Sequence, residues 1–290
     1  MIEGGQTSAV AAAAPPRIRV RRMRLAPLTC IGAAMLGAFL FGAIFAPLLT
    51  RYDPVKTDLI NSLQLPSAAH PLGTDNFGRD ILSRLLYAAR VDLQIMTVPT
   101  AASFVIGLST GSLAGYYGGV VDGILMRIVD VSMAFPFYVL VIAIVAMLGP
   151  GGLAKVYVAM VVAGWVAYAR VIRGEVLSAK NFEYIIGARA LGASDLRVIR
   201  RHLLPNVVTV GIIFAMSDAV LNILLGGALS FLGLGVQPPT PEWGLMIAEG
   251  RDFLLTSPAM VIFPGLALLW VGVTFNLLGD ALTDHLRPGG

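Results

Sequence analysis

Charge is what this sequence has least of. Asp, Glu, Lys and Arg make up 13% of its 290 residues, about half the ~25% that a water-soluble domain carries. Too few polar groups remain to cover a water-facing surface, so a soluble fold is excluded. With 57% apolar residues, the chain reads as an all-α polytopic membrane protein. Cysteine is almost missing too. Cys30 alone rules out an internal disulfide and a cysteine-rich metal site, and inside an apolar run it reads as a packed thiol. The histidines, His70, His202 and His285, are scattered without ligand spacing, so no metal is expected. There is no Gly-x4-Gly-Lys-Ser/Thr phosphate loop, so this chain does not hydrolyse ATP. Nor is there a Gly-x-Ser-x-Gly elbow or nucleophile–base pair to support an intramembrane enzyme.

Long apolar runs, in contrast, are abundant. A membrane-spanning helix needs about 20 mostly apolar residues. Uncharged runs occupy Leu25–Thr50, Leu93–Val121, Val131–Ala154 and Phe253–Gly279. Two more tolerate one charge each: Val156–Ile172 with Arg170, and Val207–Ser230 with Asp218. Six transmembrane helices are therefore expected. The chain divides into a disordered basic tail over 1–24, a first helix and the segment behind it over 25–90, a five-helix core over 91–284 with a polar loop at 173–206, and a C-terminal tail at 285–290. Basic residues before an apolar run resemble a signal peptide. The run of 26 uncharged residues is too long for an h-region and no small-x-small site follows, which favours an uncleaved first helix.

Of 21 Lys and Arg, five fall in 17–24 and six in 173–201. Such clusters suit membrane lipid and the positive-inside rule rather than nucleic acid. Arg17, Arg19, Arg21, Arg22 and Arg24 put the N-terminus in the cytoplasm, and six crossings return 173–206 and the C-terminus to that side. The external loops at 149–155 and 231–252 hold only Lys155 and Arg251 as bases. Residues 51–90 run against the rule with five bases, nearly balanced by Asp53, Asp58, Asp75 and Asp80.

The polar stretch 187–206, GARALGASDLRVIRRHLLPN, interrupts this apolar chain. Ile185 to Leu191 can form a short helix, and Gly192 suits the left-handed position that ends one. Ser194 or Asp195 can cap the next helix. There Leu196, Ile199 and Leu203 form an apolar stripe, opposite Arg197, Arg200 and Arg201. Pro205 breaks the segment before the fifth span. A helix–turn–helix along the cytoplasmic face results, with its Gly192 bend projecting as a docking knob. An interfacial helix resting on headgroups is the alternative.

The skeleton Gly187-Ala188, Gly192 and Leu204-Pro205 resembles the coupling loop of ABC importer permeases, with Ile186 where the family has Glu. HPLGTDNFGRDILSRLLYAAR (70–90), AGYYGGVVD (114–122), DVSMAFP (130–136), LSFLGLGVQPPTPEWG (229–244) and FPGLALLWVGVTFNLLGDALTD (263–284) resemble the C-type permease subunit of dipeptide and oligopeptide importers. The resemblance covers about residues 25–287, in order. It implies a type I ABC importer permease fold in a bacterial inner membrane. The implied partners are a homologous second permease, two ABC ATPase subunits that hold the ATP and Mg, and an extracytoplasmic substrate-binding protein. Ala188, Arg189, Ala190, Leu191, Gly192, Ala193, Ser194, Asp195, Leu204 and Pro205 would form the ATPase-coupling loop. Dipeptides or oligopeptides are the expected cargo, although importers of glutathione, nickel chelates, opines and some oligosaccharides share the pattern.

Two further features carry expectations. Residues 231–244 are too rich in Gly and Pro for one helix, and non-helical backbone near membrane depth must be covered or line a cavity. Gly233, Gly235, Gln237, Pro238, Pro239 and Trp243 are therefore candidates for a gate or a binding-protein docking surface. Asp218 lies 13 residues beyond Pro205, about 20 Å along a helix, where a carboxylate costs about 2.5–3.5 kcal/mol. With Asn222 one turn on and Ser217 beside it, Asp218 is a candidate for the translocation path, favouring an amine-bearing substrate, or for a contact with the partner permease. An ion-coupled secondary transporter using Asp218 is the rival reading. Arg127 and Asp130 read as a local ion pair.

Overall fold

The computed structural model describes residues 27–149 and 151–286. The basic tail expected over 1–24, with its five arginines, and the C-terminal residues past 286 lie outside the described residues. In chain order the helices are α1 (Pro27–Leu49), α2 (Ile81–Tyr117), α3 (Gly119–Met133), α4 (Phe137–Leu148), α5 (Leu153–Ala179), α6 (Glu183–Ala190), α7 (Asp195–Val198), α8 (Leu204–Phe231), α9 (Trp243–Gly250) and α10 (Ala259–Leu286). A π-helical stretch, Ile199–Leu203, joins α7 to α8. Among the described residues five helices are long and apolar enough to cross a membrane, and α3 with α4, bent by 87° at their break, completes a sixth if the pair makes one crossing. Helices are the form such runs must take, because lipid offers no partner for a backbone N–H or C=O.

Several boundaries differ from the sequence reading, each for a physical reason. The run Val131–Ala154 is not one helix. Pro136 has no N–H and disfavours helical backbone at the residue before it, so the chain turns between Met133 and Phe137. The second span starts at Ile81 rather than near Leu93, with Arg84 of its first turn held by Glu249 and Asp92 accepting from the Trp243 N–H. Pro205 does not break the chain. The Leu204 N–H reaches back to the Ile199 carbonyl, and this wider π turn absorbs the proline without interrupting the helix. Cys30 is exposed on α1 rather than packed.

At the centre of the bundle α2 packs against α1, α3, α5 and α8, while α10 packs against α1, α8 and α9. The α2–α5 contact is close because glycines on successive turns of α2 leave no side chain in the seam. A Cβ at Gly107 would lie 2.3 Å from that of Tyr168, and one at Gly111 would lie 2.5 Å from the Ala169 carbonyl oxygen. Small residues at such a spacing let backbones approach where lipid supplies no hydrophobic drive between helices.

The loops gather at two ends. The segment 50–80, the turn before α5 and the segment 232–258 meet at one end, where Gly152 N–H donates to the Gly235 carbonyl and Arg79 reaches Glu249. At the other, the last turn of α2, the end of α5 and residues 183–203 converge around a cluster that includes Ile172, Val176, Ile185, Val198, Ile199 and Leu203.

Candidate functional site

At that second end, α6, a glycine bend and α7 form a knob. α6 closes with a complete Schellman motif. Gly192 N–H donates to the Arg189 carbonyl at 2.9 Å, Ala193 N–H donates to the Ala188 carbonyl at 3.1 Å, and Gly192 has φ +83°. A side chain at Gly192 would have open space but the wrong backbone conformation. Leu191, beside it, is 90% exposed, and Ile186 and Leu196 are also largely exposed. The structure thus brings Ala188, Arg189, Ala190, Leu191, Gly192, Ala193, Ser194 and Asp195 into one ordered turn, with Leu204 and Pro205 at its exit into α8.

Two details of the knob depart from expectation. Leu196 points outward, and Val198 joins Ile199 and Leu203 on the buried apolar face. Ser194 occupies the N-cap position of α7 but makes no side-chain cap. The Asp195 carboxylate instead accepts a 2.6 Å hydrogen bond from the Tyr116 hydroxyl of α2. Arg189 lies over the ring of the same tyrosine, 4.6 Å from its centroid, and Lys180 donates to the Gly115 carbonyl at 2.9 Å. Asp130 pairs with Arg170 of α5, not with Arg127, and Asp122 takes Arg173 through both carboxylate oxygens. These two pairs tie α3 to α5.

Asp218 and Asn222 come together on α8 and face the interior of the chain. Tyr168 of α5 donates to Asp218 at 2.8 Å, and the Asn222 amide bridges Asp218 (3.0 Å) and Thr100 of α2 (2.9 Å). Both are buried, while Ser217 is exposed. Ser217, Leu221, Leu224, Ala228 and Phe231, spaced three and four apart, form one exposed stripe along α8. At its Phe231 end an open apolar groove of about 400 Å³ is lined by Leu224, Ala228, Phe231, Leu232, Ile247 and Leu268.

The non-helical stretch after α8 is ordered. Gln237 donates to the Gly233 and Gly235 carbonyls, and Ser230 Oγ accepts from Val236 N–H. Gly233, Gln237, Pro238 and Pro239 are exposed, but Gly235 and Trp243 are buried. Trp243 is an anchor rather than part of a surface. Its indole N–H donates to the Leu85 carbonyl, and its backbone N–H donates to Asp92. Glu242 caps α9 by accepting from Gly244 and Leu245 N–H.

Sequence reasoning missed the acid that organises this end. Glu249 accepts from Arg79 at 2.9 Å and Arg84 at 2.8 Å, while Asp75 takes Arg79 at 2.5 Å. Two acids and two bases thus balance in the interior. Asp80 caps α2 through Ser83 and also holds His70. Asp75, Arg79 and Asp80 lie within six residues of one another. Glu249, some 170 positions from Arg79, carried no local signal.

A bundle of long apolar helices with an ordered polar knob at one end has the architecture of a polytopic membrane protein. Residues 107–289 match the family model described as the binding-protein-dependent transport system inner membrane component. Residues 17–66 match the N-terminal TM domain of oligopeptide transport permease C. The dipeptide transport system permease protein of Alkalihalophilus pseudofirmus is 40% identical over 277 residues, covering 96% of this chain and 91% of that protein. The glutathione transport system permease protein of Pectobacterium atrosepticum is 45% identical over 249 residues, covering 85% of this chain and 82% of that protein. A chain of the inward-facing methionine ABC transporter MetNI shares the fold at a TM-score of 0.55 and 19% identity, covering 70% of this chain and 96% of that one. The chain therefore belongs to the binding-protein-dependent transport system inner-membrane component family. As a permease subunit of an ABC importer it is non-catalytic, and the secondary-transporter reading falls.

Proposed function

We propose that this chain forms half of a translocation pathway for peptides in a bacterial inner membrane. Dipeptides and oligopeptides are the first choice and glutathione is within the same class. The relatives named for dipeptide and glutathione transport support this cargo. A homologous second permease would supply the other half, two ABC ATPase subunits would bind ATP and Mg, and an extracytoplasmic protein would deliver substrate. Both termini would lie in the cytoplasm, with the tail 1–24 and the knob on one side and the 51–80 and 232–258 segments on the other. The first helix and the segment behind it, expected over 25–90 but ending where α2 begins at Ile81, would act as an addition to the five-helix core.

The observation that carries the reading is the knob. An ordered turn that presents Leu191 to solvent next to a left-handed glycine fits a cleft on a soluble motor. The exposed stripe through Ser217 is the natural wall of the path, with Asp218 and Asn222 one layer behind it holding α8 to α2 and α5. The exposed Gly233, Gln237, Pro238 and Pro239 would meet the delivering protein, over the buried Gly235 and Trp243.

The test is co-purification with the candidate ATPases. Gly192→Pro, incompatible with φ +83°, and Ala188→Asp should each abolish ATPase capture while the permease stays monodisperse. Unchanged capture would return the loop to a headgroup-resting helix. Uptake of a labelled dipeptide by proteoliposomes holding the whole transporter would test the cargo.

A further inference from the structure

The knob touches the rest of the chain mainly through apolar contacts, but one polar side chain reaches both of its arms. Tyr116 is the penultimate residue of α2 and is 6% exposed. Its hydroxyl donates to Asp195, which opens α7, and its ring carries the Arg189 guanidinium of α6. Those two residues lie on opposite sides of the Gly192 bend. The knob therefore cannot rotate about its bend without stretching the Tyr116–Asp195 bond or sliding Arg189 off the ring.

Tyr116 also stands at the end of the glycine seam. Gly115, immediately before it, packs against Val176 and accepts from Lys180 just beyond α5. Gly107 and Gly111 continue the seam up α2 with no side chains to give way. A push on Tyr116 thus meets a helix pair that moves as a body, because close-packed interfaces shift between discrete arrangements rather than deform smoothly.

We propose that Tyr116 is the positioning residue that carries displacement of the knob into α2, through its hydroxyl on Asp195 and its ring under Arg189. The inference rests on the ATPase-coupled reading above. The knob's apolar cluster seats the turn, while the tyrosine locks its angle. An O–H donor to a carboxylate is directional and stronger than a neutral hydrogen bond, so it suits transmission in a way that grease does not.

Hydrogen exchange on the assembled transporter in nanodiscs, with and without ATP plus vanadate, reads this without knowing the cargo. In wild type, trapping should alter exchange in both 183–198 and 107–117. In Tyr116→Phe, ATPase capture and the knob's response should persist, while the response of 107–117 falls roughly tenfold, as expected for losing one charge-assisted bond. Asp195→Asn keeps an acceptor oxygen without its charge and should lose only part of the response, whereas Asp195→Leu should match Tyr116→Phe. Exchange without ATP should be equal in all of them, which separates positioning from a structural defect. An unchanged 107–117 response in Tyr116→Phe, or no such response in wild type, overturns the proposal. Loss of ATPase capture in Tyr116→Phe also overturns it, since the residue would then belong to the docking surface. Failure of wild type to capture ATPases sinks the ATPase-coupled reading itself, and this inference with it, before any substitution is compared.

Discussion

The two ends of the bundle are both polar in sequence, yet their polarity is put to opposite uses. At the α9 end Asp75, Arg79, Arg84 and Glu249 turn inward and neutralise one another. At the knob end Arg197, Arg200 and Arg201 are exposed, and the turn is held by an apolar cluster and one tyrosine. A buried ion network rigidifies because every partner lost leaves a charge stranded in a low dielectric. An exposed basic turn costs little to displace and stays free to meet another protein. The density of charge along the chain does not distinguish the two; the direction of the side chains does.

That contrast can be broken from the rigid end first. Glu249→Ala would leave two buried guanidinium groups sharing Asp75 alone and should cost about 3–5 kcal/mol, read as lost monodisperse protein or a large drop in melting temperature in detergent. Gly111→Ala should cost about 1–3 kcal/mol by pushing α2 away from the Ala169 carbonyl. Its melting should fall while the knob still captures ATPases. Tyr168→Phe removes one bond to buried Asp218 and should cost about 1–3 kcal/mol, with Asp218→Asn milder because an acceptor oxygen remains. Smallest of all, Arg170→Gln breaks a pair that is more than half exposed on both sides and should leave melting unchanged, since such pairs contribute little. A melting loss for Arg170→Gln as large as that for Glu249→Ala would erase the distinction between the ends.

Much of the knob was legible beforehand because its signals are local. Gly192 is a glycine where a short helix must stop, and the Schellman bonds follow from that. The apolar runs of α1, α5 and α10 were likewise read from hydropathy, which needs no partner. The α3–α4 break had a visible sign in Pro136, outweighed by the uncharged run around it. The glycines at 107, 111 and 115 carried a spacing signal that went unused. Trp243 was grouped with a surface because the Gly/Pro-rich stretch around it could not be one helix, whereas its indole bonds to Leu85 inside the bundle.

By itself the sequence determined that this chain lies in a membrane as helices, where most of them run, that it lacks a motor, and that a glycine-cornered polar turn interrupts it. Those properties depend on composition and on neighbours within a turn or two. Only the tertiary structure decided which charges are buried and paired, that Asp218 is held by Tyr168 and Asn222 inside the chain, and that Tyr116 grips both arms of the knob. Each of those depends on groups far apart in the chain, and a charge in isolation carries no sign of the partner that will neutralise it.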